Sequence, residues 1–311
     1  MKNEVGLKHI ALELGISMVA VSRALKDCDD ISETTKQKVR QKAIELGYVP
    51  RPLEKSNHKT IAILVDSLGS SFFGMIAEKL IEEFKKYNCL LNFIPTSQNY
   101  ACKENVKEAL EISVDGIISF LVPHQDAYEM VLLHRVPFLL FGRYVDNPKM
   151  NIVYMDDYLG GEIAASYLIE NGANKLCYIG VDGIECSLRR QEGFLNETQK
   201  QGINDIKIIQ GNDIDNDMNK VEKLINEGYK WFFCFDDSLA NYLLNSQKDK
   251  DIHVVGFNGS SKFLPHYDFI TSIHADYDLM VKDAVNILNN KINNKNEGDF
   301  VVIKHKTELC K

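Results

Sequence analysis

The stretch LKHIALELGISMVAVSRAL, residues 7–25, decides the fold of the first part of the chain. Apolar residues recur at helical spacing in its first half, at Leu7, Ile10, Ala11 and Leu14. This period predicts a short amphipathic helix. Gly15 supplies the left-handed conformation that ends a helix at little cost, and Ser17 is a candidate N-cap for the next helix. The stretch therefore predicts two helices joined by a very tight turn.

The second predicted helix, residues 17–25, has two chemically different faces when it is laid out at about 100° per residue. One face is small and apolar and consists of Ala20, Val21, Ala24 and Leu25. The opposite face consists of Met18, Val19, Ser22 and Arg23. Because the apolar face can pack on the preceding helix, the opposite face is expected to point outward.

A third helix is predicted to begin after Ser32 and to run to Leu46. Three short helices with a tight turn between the first two form a helix-turn-helix unit, whose second helix enters the DNA major groove by its N-terminal part. In that geometry Met18 and Val19 meet base edges, and Arg23 reaches a guanine or a phosphate. The other expected DNA contacts, mostly to the backbone, are Ser17, Ser22, Lys36, Lys38, Arg40 and Lys42.

Helical spacing alone fits a DNA-binding domain and a plain three-helix unit equally well, but the identities of the residues are more specific. The motifs are Ile10-Ala11, Gly15-Ile16-Ser17, Val21-Ser22-Arg23-Ala24-Leu25, Ile31-Ser32 and Leu46-Gly47-Tyr48-Val49-Pro50. In this order they closely resemble the headpiece of the lactose-repressor (LacI/GalR) family. The resemblance implies a DNA-binding headpiece over residues 1–50, followed by a two-lobed core that binds an effector.

Two features depart from the family pattern. The first outward positions of the recognition helix are often polar or aromatic in the family, whereas here they are Met18 and Val19. Such side chains can touch a thymine methyl but form no hydrogen bond to a base, so more of the specificity falls on Arg23. The family's hinge helix inserts a leucine into the minor groove. Here the linker, residues 51–59, is shorter by roughly one helical turn, and Leu53 is the candidate wedge.

The charge of the chain is divided unevenly. The formal net charge is −8, but residues 1–60 carry 11 Lys and Arg against 8 Asp and Glu, whereas the remaining residues carry 25 against 36. A net charge of +3 on the first segment and −11 on the rest is the asymmetry expected when one end of the chain meets phosphates. The seven cysteines form no CxxC pair, which favours reduced thiols without a zinc site or a disulfide framework.

The composition predicts a globular protein. Hydrophobic residues make up 45% and charged residues 26% of the 311 residues, and this length suits two or three folding units. The sequence contains no apolar run long enough to span a membrane. Residues 1–4 lead into an amphipathic helix, without the charged-then-apolar pattern of a secretory signal. We therefore expect a cytoplasmic location.

From Thr60 onward, short β-rich runs alternate with helical patterns. The predicted strands are 61–65, 90–95, 116–120, 138–141, 176–179, 231–235 and 254–257. This alternation predicts parallel sheets covered by helices on both faces, and its length favours two α/β lobes over one sheet. The family resemblance implies a periplasmic-binding-protein-like core over residues 60–311. Lobe 1 would then take residues 60–155 and 276–299, and lobe 2 residues 156–275 and 300–311.

Ligands bind outside the carboxyl ends of the strands in open parallel sheets. The candidate effector contacts at those strand ends are Ser70, Phe72, Phe73, Arg143, Arg190, Asp236 and Asn258. Aromatic rings with several hydrogen-bonding groups suit a sugar or a nucleobase. The resemblance implies effector contacts for Arg190, Asp236 and Asn258 and favours a carbohydrate. Because the family often has an aspartate in place of Asn258, the identity of the effector stays open.

Several residues have a second interpretation. Phe72 and Phe73 fit core positions of the following helix equally well, and Asp237 is expected to cap the helix that begins there. The acidic cluster at residues 27–30 lacks the glycine and the distal glutamate of a calcium loop and is interpreted as a solvated turn. Trp231, the single tryptophan, is expected on a strand that leads toward the cleft.

The sequence carries no GxGxxG after a strand, no P-loop, no GxSxG and no HExxH, and its eight histidines lack metal-ligand spacing. We therefore expect no enzymatic activity, no cofactor and no metal. The expected function is that of a sequence-specific transcriptional regulator, by default a repressor. It would bind a palindromic operator as a homodimer, or as a tetramer, and respond to a small molecule. A purine or a partner protein as co-repressor stays open, as does a sugar-binding protein without DNA function.

Overall fold

The computed structural model describes residues 5–48, 58–69, 71–96, 98–260, 270–294 and 298–310. The contacts of the chain divide it into two compact units, Met1–Asn57 and His58–Lys311. We refer to these units as the headpiece and the core. The expected domain boundaries at residues 50 and 60 lie on either side of this division.

The described residues of the headpiece form three helices, α1 (Leu7–Leu14), α2 (Met18–Leu25) and α3 (Glu33–Glu45). As predicted, Gly15 ends α1 in the left-handed conformation at φ 63°, and the Ser17 side chain accepts a hydrogen bond from Ala20 N–H at 3.1 Å. Ser32 caps α3 in the same way. One cluster of buried side chains holds the helices together, and it contains Ile10, Ala11, Val21, Ala24, Val39 and Ala43.

The core is built on two six-stranded sheets. In spatial order, sheet 1 consists of β13 (Val302–His305), β7 (Asn151–Met155), β6 (Phe138–Phe141), β4 (Gly116–Ser119), β1 (Lys59–Val65) and β2 (Cys89–Pro95). Sheet 2 consists of β14 (Thr307–Cys310), β12 (Thr271–Ala275), β11 (His253–Phe257), β10 (Trp231–Cys234), β8 (Lys175–Val181) and β9 (Asp205–Gly211). Neighbouring strands are parallel except β12 and β14, which are antiparallel. The predicted two-lobed α/β architecture is confirmed.

Helices and one small sheet complete the core. The helices among its described residues are α4 (Ser71–Lys85), α5 (Lys103–Glu111), α6 (Gln125–His134), α7 (Asp157–Glu170), α8 (Glu185–Lys200), α9 (Ile214–Asn226), α10 (Asp237–Ser246) and α11 (Tyr277–Asn293). β3 (Tyr100–Ala101) pairs with β5 (Val122–Pro123). Both faces of β1 are buried, because Ile61 and Ile63 enter one hydrophobic cluster while Ala62 and Leu64 enter another. Burial on both faces explains the continuous apolar run of this strand.

The first two connections between the sheets have the same local design. The chain leaves sheet 1 after β7 at Asp156 and leaves sheet 2 after β12 at Asp276. Asp156 accepts a hydrogen bond from Leu159 N–H at 3.2 Å, and Asp276 accepts one from Leu279 N–H at 3.0 Å. Each connection therefore begins the next helix with an aspartate cap.

The third connection corrects the expected lobe boundary. β13 pairs in parallel with β7 and so belongs to sheet 1, whereas β14 pairs with β12 and belongs to sheet 2. The chain crosses at Lys306, between these two strands, and not near Phe300. The assignment of residues 300–311 to lobe 2 was wrong for β13, because two successive four-residue strands belong to different sheets.

Candidate functional site

The outward face of α2 is the first candidate site. Met18 is 52% exposed and Val19 is 66% exposed, although both are apolar. Val21 and Ala24, on the opposite face, are fully buried against α1 and α3. The helix therefore keeps its small apolar face inside and offers two large apolar side chains to solvent at its N-terminal end, as the sequence predicted. Such side chains can contact thymine methyl groups in the major groove.

Arg23 lies on the same outward face and is held by an acidic partner. Its Nε donates a hydrogen bond to Oδ1 of Asp30 at 3.1 Å, and its Nη2 lies 2.9 Å from Oδ2 of the same carboxylate. Both side chains are about half exposed. Two parallel contacts of this kind orient a guanidinium more firmly than one contact does.

The structure corrects the role expected for one lysine of α3. Lys36 is only 6% exposed, and its Nζ lies 3.0 Å from a carboxylate oxygen of Glu33 and 3.1 Å from one of Asp27. Asp27 also pairs with Arg40 at 2.6 Å. The Lys36 ammonium group is therefore paired within the headpiece, which does not favour the predicted contact of this residue with the DNA backbone. Lys38 is exposed on the same helix.

Two predicted contacts lie outside the described residues. They are Leu53, the candidate wedge of the shortened linker, and Ser70, which precedes α4. Most of the linker, residues 51–57, lies outside them as well. Both contacts stay predictions.

The second candidate site lies at the carboxyl ends of the core strands, and its central residue is Arg190. This side chain is 4% exposed. Its Nε donates to Oδ1 of Asp157 at 2.8 Å, and its Nη1 donates to the carbonyl oxygen of Phe235 at 2.5 Å. Asp157 is 3% exposed and is the first residue of α7. The arginine is therefore tied both to the helix that follows the first crossing and to the end of β10.

Aromatic rings enclose the same guanidinium. Its central carbon lies 3.5 Å from the ring centroid of Phe257 and 4.7 Å from that of Phe235. At these distances the positive charge is attracted to the ring faces. Gly160 of α7 makes room for the Phe257 ring, because a Cβ at Gly160 would lie 2.6 Å from the ring edge. Neighbouring strand ends and helix α7 thus fix Arg190 from several sides.

Burial governs the carboxyl groups of this region. It raises the pKa of Asp157 to about 6, although the Arg190 charge favours the ionised form. It raises the pKa of Asp237 to about 6 as well, against hydrogen bonds from Ser272 and Ser260. Burial also raises the pKa of Asp236. The carboxyl end of sheet 2 is therefore a place where carboxylates are poorly solvated, which strengthens their hydrogen bonds to polar groups.

The cap of α10 is Asp236 and not Asp237. Asp236 accepts a hydrogen bond from Leu239 N–H at 2.8 Å. Asp237, which is 1% exposed, accepts instead from Ser260 N–H and from the Ser272 hydroxyl, both at 2.6 Å. The expected capping role of Asp237 was wrong by one residue. Its side chain joins the loop after β11 to the start of β12.

Asn258 follows β11 in an unusual backbone conformation. Its φ is 98°, a region that asparagine tolerates better than most residues do. Its N–H donates to the carbonyl oxygen of Ile273 at 2.7 Å, and the residue is 8% exposed. The backbone bond fixes Asn258 at the end of β11, next in the chain to Phe257, whose ring lies against Arg190. Arg190, Asp236 and Asn258 are thus brought to one edge of sheet 2.

Sheet 1 contributes Arg143 and Phe72. Arg143 follows β6, and its Nη2 lies 3.8 Å from an oxygen of Asp66, which follows β1. Phe72 makes an edge-on contact with the Tyr277 ring at a centroid distance of 5.4 Å. Phe73 lies instead in the core at 5% exposure, with its ring against Phe93 and Phe120. Core packing therefore accounts for Phe73, the second of its two possible roles.

Three residues of this region were not predicted from the sequence. Asp157 and Tyr277 each follow immediately after a capping aspartate where the chain crosses between the lobes. Because both crossings follow the carboxyl ends of strands, where ligands bind in open parallel sheets, the sequence could have identified these residues. The Tyr277 hydroxyl is buried, and the described residues offer it no hydrogen-bond partner. Arg189 of α8 stacks over the Tyr144 ring at 5.0 Å, which brings an element beside sheet 2 onto a loop of sheet 1.

Trp231 lies at the other edge of sheet 2. It is the first residue of β10, and its ring stacks on His253, the first residue of β11, at a centroid distance of 3.9 Å. The expectation that Trp231 leads toward the cleft holds for its strand but not for its side chain. Its fluorescence is therefore not a direct probe of the strand ends.

The described part of the chain contains no group of three or more His, Cys, Asp and Glu side chains that could hold a metal ion. None of the helices described there is both long enough and apolar enough to cross a membrane.

The first part of the chain matches a known family. Residues 6–51 match the family described as bacterial regulatory proteins, lacI family. This range contains α1, α2 and α3 together with the outward face of α2. The resemblance inferred from the motifs of the headpiece is confirmed.

Related proteins align over nearly the whole chain. The sucrose operon repressor of Lactococcus lactis subsp. lactis is 26% identical, over 97% of this chain and 96% of its own. The HTH-type transcriptional repressor PurR of Pasteurella multocida (strain Pm70) is 25% identical, over 96% of this chain and 95% of its own. The likeness therefore extends through the core.

Solved structures share the fold. The lac repressor dimer bound to operator and the anti-inducer ONPF has a TM-score of 0.67 at 20% identity, covering 99% of this chain and 98% of that chain. A LacI family transcriptional regulator from Enterococcus faecium with bound ribose has a TM-score of 0.71 at 18% identity, covering 81% and 97%. At these identities the structures support the fold alone.

Proposed function

We propose that this chain is a DNA-binding repressor of the lacI family, controlled by a small molecule bound between the lobes of its core, because its headpiece matches that family and a related repressor aligns over nearly the whole chain. The observation that carries the proposal is the outward face of α2. Exposed Met18 and Val19 stand beside Arg23, on a helix whose other face packs into the headpiece through Val21 and Ala24. A protein that reads an operator works in the cytoplasm, beside the DNA, and the proposal includes no enzymatic activity.

The headpiece supports a mixed mode of base reading. Met18 and Val19 suit the methyl groups of thymine, while Arg23 suits a guanine. A homodimer would place two such helices on the two halves of a palindromic operator, since operator symmetry mirrors protein symmetry. Lys38 remains an exposed candidate for a phosphate contact. Because Lys36, Arg40 and Lys42 each pair with a carboxylate of the headpiece, we expect modest non-specific affinity.

A sugar is the effector that the core residues suit best. Arg190, Asp236 and Asn258 lie at the carboxyl edge of sheet 2, and the half-buried ring of Phe72 follows β1 of sheet 1. Rings that cover apolar sugar faces, together with charged and amide groups that bind hydroxyls, are typical of carbohydrate sites. One of the similar structures holds ribose, and one relative is named as the sucrose operon repressor.

The same residues offer a route from ligand to lobe movement. Arg190 is bonded to Asp157, the residue after the cap of the first crossing, and Tyr277 occupies the corresponding place at the second crossing. A ligand that competes for either side chain changes contacts beside the segments that join the lobes. Hinge-like closure about such segments is a common regulatory movement, and a coupling of about 1–3 kcal/mol is enough to regulate DNA binding.

Selection from a random DNA pool tests the proposal. Full-length protein is incubated with duplexes that carry two randomised half-sites as an inverted repeat, and the bound fraction is sequenced. We expect one half-site sequence to be enriched and the Arg23→Ala variant to lose a preference at one G·C pair of that half-site. Bound duplexes with no enriched sequence, at any salt concentration that permits binding, would overturn the proposal.

A further inference from the structure

The pair formed by Arg23 and Asp30 occupies one particular edge of the guanidinium. This group has a side edge, formed by Nε and Nη2, and an end edge, formed by Nη1 and Nη2. Asp30 takes the side edge, with Nε to Oδ1 at 3.1 Å and Nη2 to Oδ2 at 2.9 Å. The end edge keeps the geometry that donates two hydrogen bonds to O6 and N7 of guanine. Asp30 therefore selects the edge that Arg23 can offer to a base.

Stability of the fold does not explain this pair. Both side chains are about half exposed, at 51% and 52%, and exposed ion pairs of this kind add little to the free energy of unfolding. A carboxylate beside a DNA-contacting surface also repels phosphates. Asp30 therefore adds little to the stability of the fold and weakens non-specific binding to DNA. Orientation of the Arg23 side chain is an effect that can offset this loss of affinity.

The neighbouring acidic residues behave differently. Asp27 pairs with Lys36 and Arg40 of α3, so its charge is used within the headpiece. Asp29 is exposed, and the described residues include no ion pair with it. Of the acidic cluster at residues 27–30, it is Asp30 that is joined to the outward face of α2. Asp29 is therefore a matched control, because it has the same charge and lies one residue away.

We propose that Asp30 is a specificity-determining residue that positions Arg23 to read guanine through its end edge. The inference rests on the proposed function, since it concerns how the headpiece reads DNA. Without Asp30, Arg23 is free to rotate and to follow the nearest phosphate. The variant then gains affinity for arbitrary duplexes and loses discrimination at one base pair.

The experiment repeats the selection from randomised inverted repeats with wild-type protein and with Asp30→Ala, Asp30→Glu, Asp29→Ala and Arg23→Ala. The position at which Arg23→Ala loses its guanine preference identifies the base that Arg23 reads. At that position, we expect Asp30→Ala to reduce the preference for guanine over adenine at least about fivefold. Asp30→Glu keeps a carboxylate within reach and should restore part of that preference. Asp29→Ala should raise the affinity for all duplexes while leaving the preference unchanged.

Salt dependence supplies an independent measurement. On a duplex of random sequence, the Asp30→Ala variant should show a log–log slope of affinity against salt that is steeper by about one, because Arg23 gains a phosphate contact. An unchanged guanine preference in Asp30→Ala, or an equal loss in Asp29→Ala, would overturn the inference while leaving DNA binding intact. A wild-type protein that enriches no sequence would overturn the proposed function, and the inference with it.

Discussion

The headpiece and the core each contain an arginine–aspartate pair, and the two pairs have nearly the same shortest distance in opposite surroundings. Arg23 and Asp30 approach to 2.9 Å with both side chains about half exposed. Arg190 and Asp157 approach to 2.8 Å with side-chain exposures of 4% and 3%. The first pair lies on the surface that we propose contacts DNA, whereas the second lies at the carboxyl edge of sheet 2, against the rings of Phe235 and Phe257.

The contrast shows that one pairing serves different purposes according to solvation. Water screens the exposed pair, so its loss costs little stability and acts mainly on what Arg23 can bind. In the core, removal from water is costly for each charge. If one partner of the pair is removed, the other stays buried without an opposite charge beside it. Burial also raises the pKa of the Asp157 carboxyl to about 6. The headpiece pair is therefore expected to tune recognition, and the core pair to fix the shape of the cleft.

Breaking each pair should give the largest difference between the two regions. At pH 8, where Asp157 is ionised, the Asp157→Ala variant should lose about 3–5 kcal/mol of unfolding free energy, because Arg190 is left buried and unpaired. Asp30→Ala should lose no more than about 1 kcal/mol. Urea unfolding followed by circular dichroism measures both changes. The double variant Asp157→Leu/Arg190→Met should recover much of the loss, since no charge is then buried. Equal losses in the two single variants would contradict the comparison.

Titration should affect the buried carboxyls of the cleft. Burial raises the pKa of Asp237 to about 6 from an ordinary value of 3.8. The folded protein therefore binds more protons than the unfolded chain between these values, and the stability contributed by this group falls as pH rises through the window. Between pH 7 and pH 4, wild-type protein should gain up to about 3 kcal/mol relative to Asp237→Asn. Thermal unfolding of both proteins at each pH measures the difference. If the unfolding free energies of the two proteins changed with pH in parallel, burial would not raise the pKa of Asp237.

The crossing of α7 and α8 should be intolerant of even one methyl group. A Cβ at Gly193 would collide with the backbone carbonyl oxygen of Tyr158, next to Asp157. We expect Gly193→Ala to lose about 2 kcal/mol, because α8 must shift with Arg190 on it. Gly74→Ala is the matched control: a Cβ there meets no atom within 4 Å, and alanine should stabilise α4 by up to about 1 kcal/mol. Unfolding midpoints in urea distinguish the two, and similar midpoints would exclude a tight crossing.

The smallest change in stability is expected at Arg23. Arg23→Ala should lower the affinity for a selected operator by about 1–3 kcal/mol of binding free energy, while changing the free energy of unfolding by less than about 0.5 kcal/mol. Fluorescence anisotropy of labelled duplex and urea unfolding give the two numbers. A variant that binds the operator as wild type does would remove Arg23 from the reading surface.

Much of the fold was predictable because its signals are local. Gly15 and Ser17 fix the turn between α1 and α2 through their own backbone and side-chain chemistry, and β6 was predicted with both ends correct. Strand β9 was missed because it lies at an edge, where exposed residues interrupt its apolar run. The adjacent strands β13 and β14 were missed because exposed residues interrupt both of them, and because their pairing partners, β7 and β12, were also missed and are distant in sequence. Local patterns carry no information on such partners.

In the candidate sites too, local features were predictable from the sequence, whereas contacts between distant elements were not. The exposure of Met18 and Val19 was predictable from helical period, since the face that packs on α1 was apolar and small. The pairing of Lys36 with Asp27, and of Arg190 with Asp157, was not predictable, because each pair joins different elements of the fold. The residue Asp237 was assigned the cap that Asp236 makes, since the start of a helix is ambiguous by one residue when two aspartates are adjacent.

A single titration tests whether the core controls DNA binding by the headpiece. The affinity for a selected operator is measured by anisotropy without sugar and with saturating sucrose, cellobiose or ribose, for wild-type protein and for Arg143→Ala. At least one sugar should change the wild-type affinity by about 5- to 150-fold. Arg143→Ala should bind the operator equally well and lose the response. An operator affinity that no sugar changes, or a response that Arg143→Ala retains in full, would contradict control of DNA binding by a sugar bound in the core.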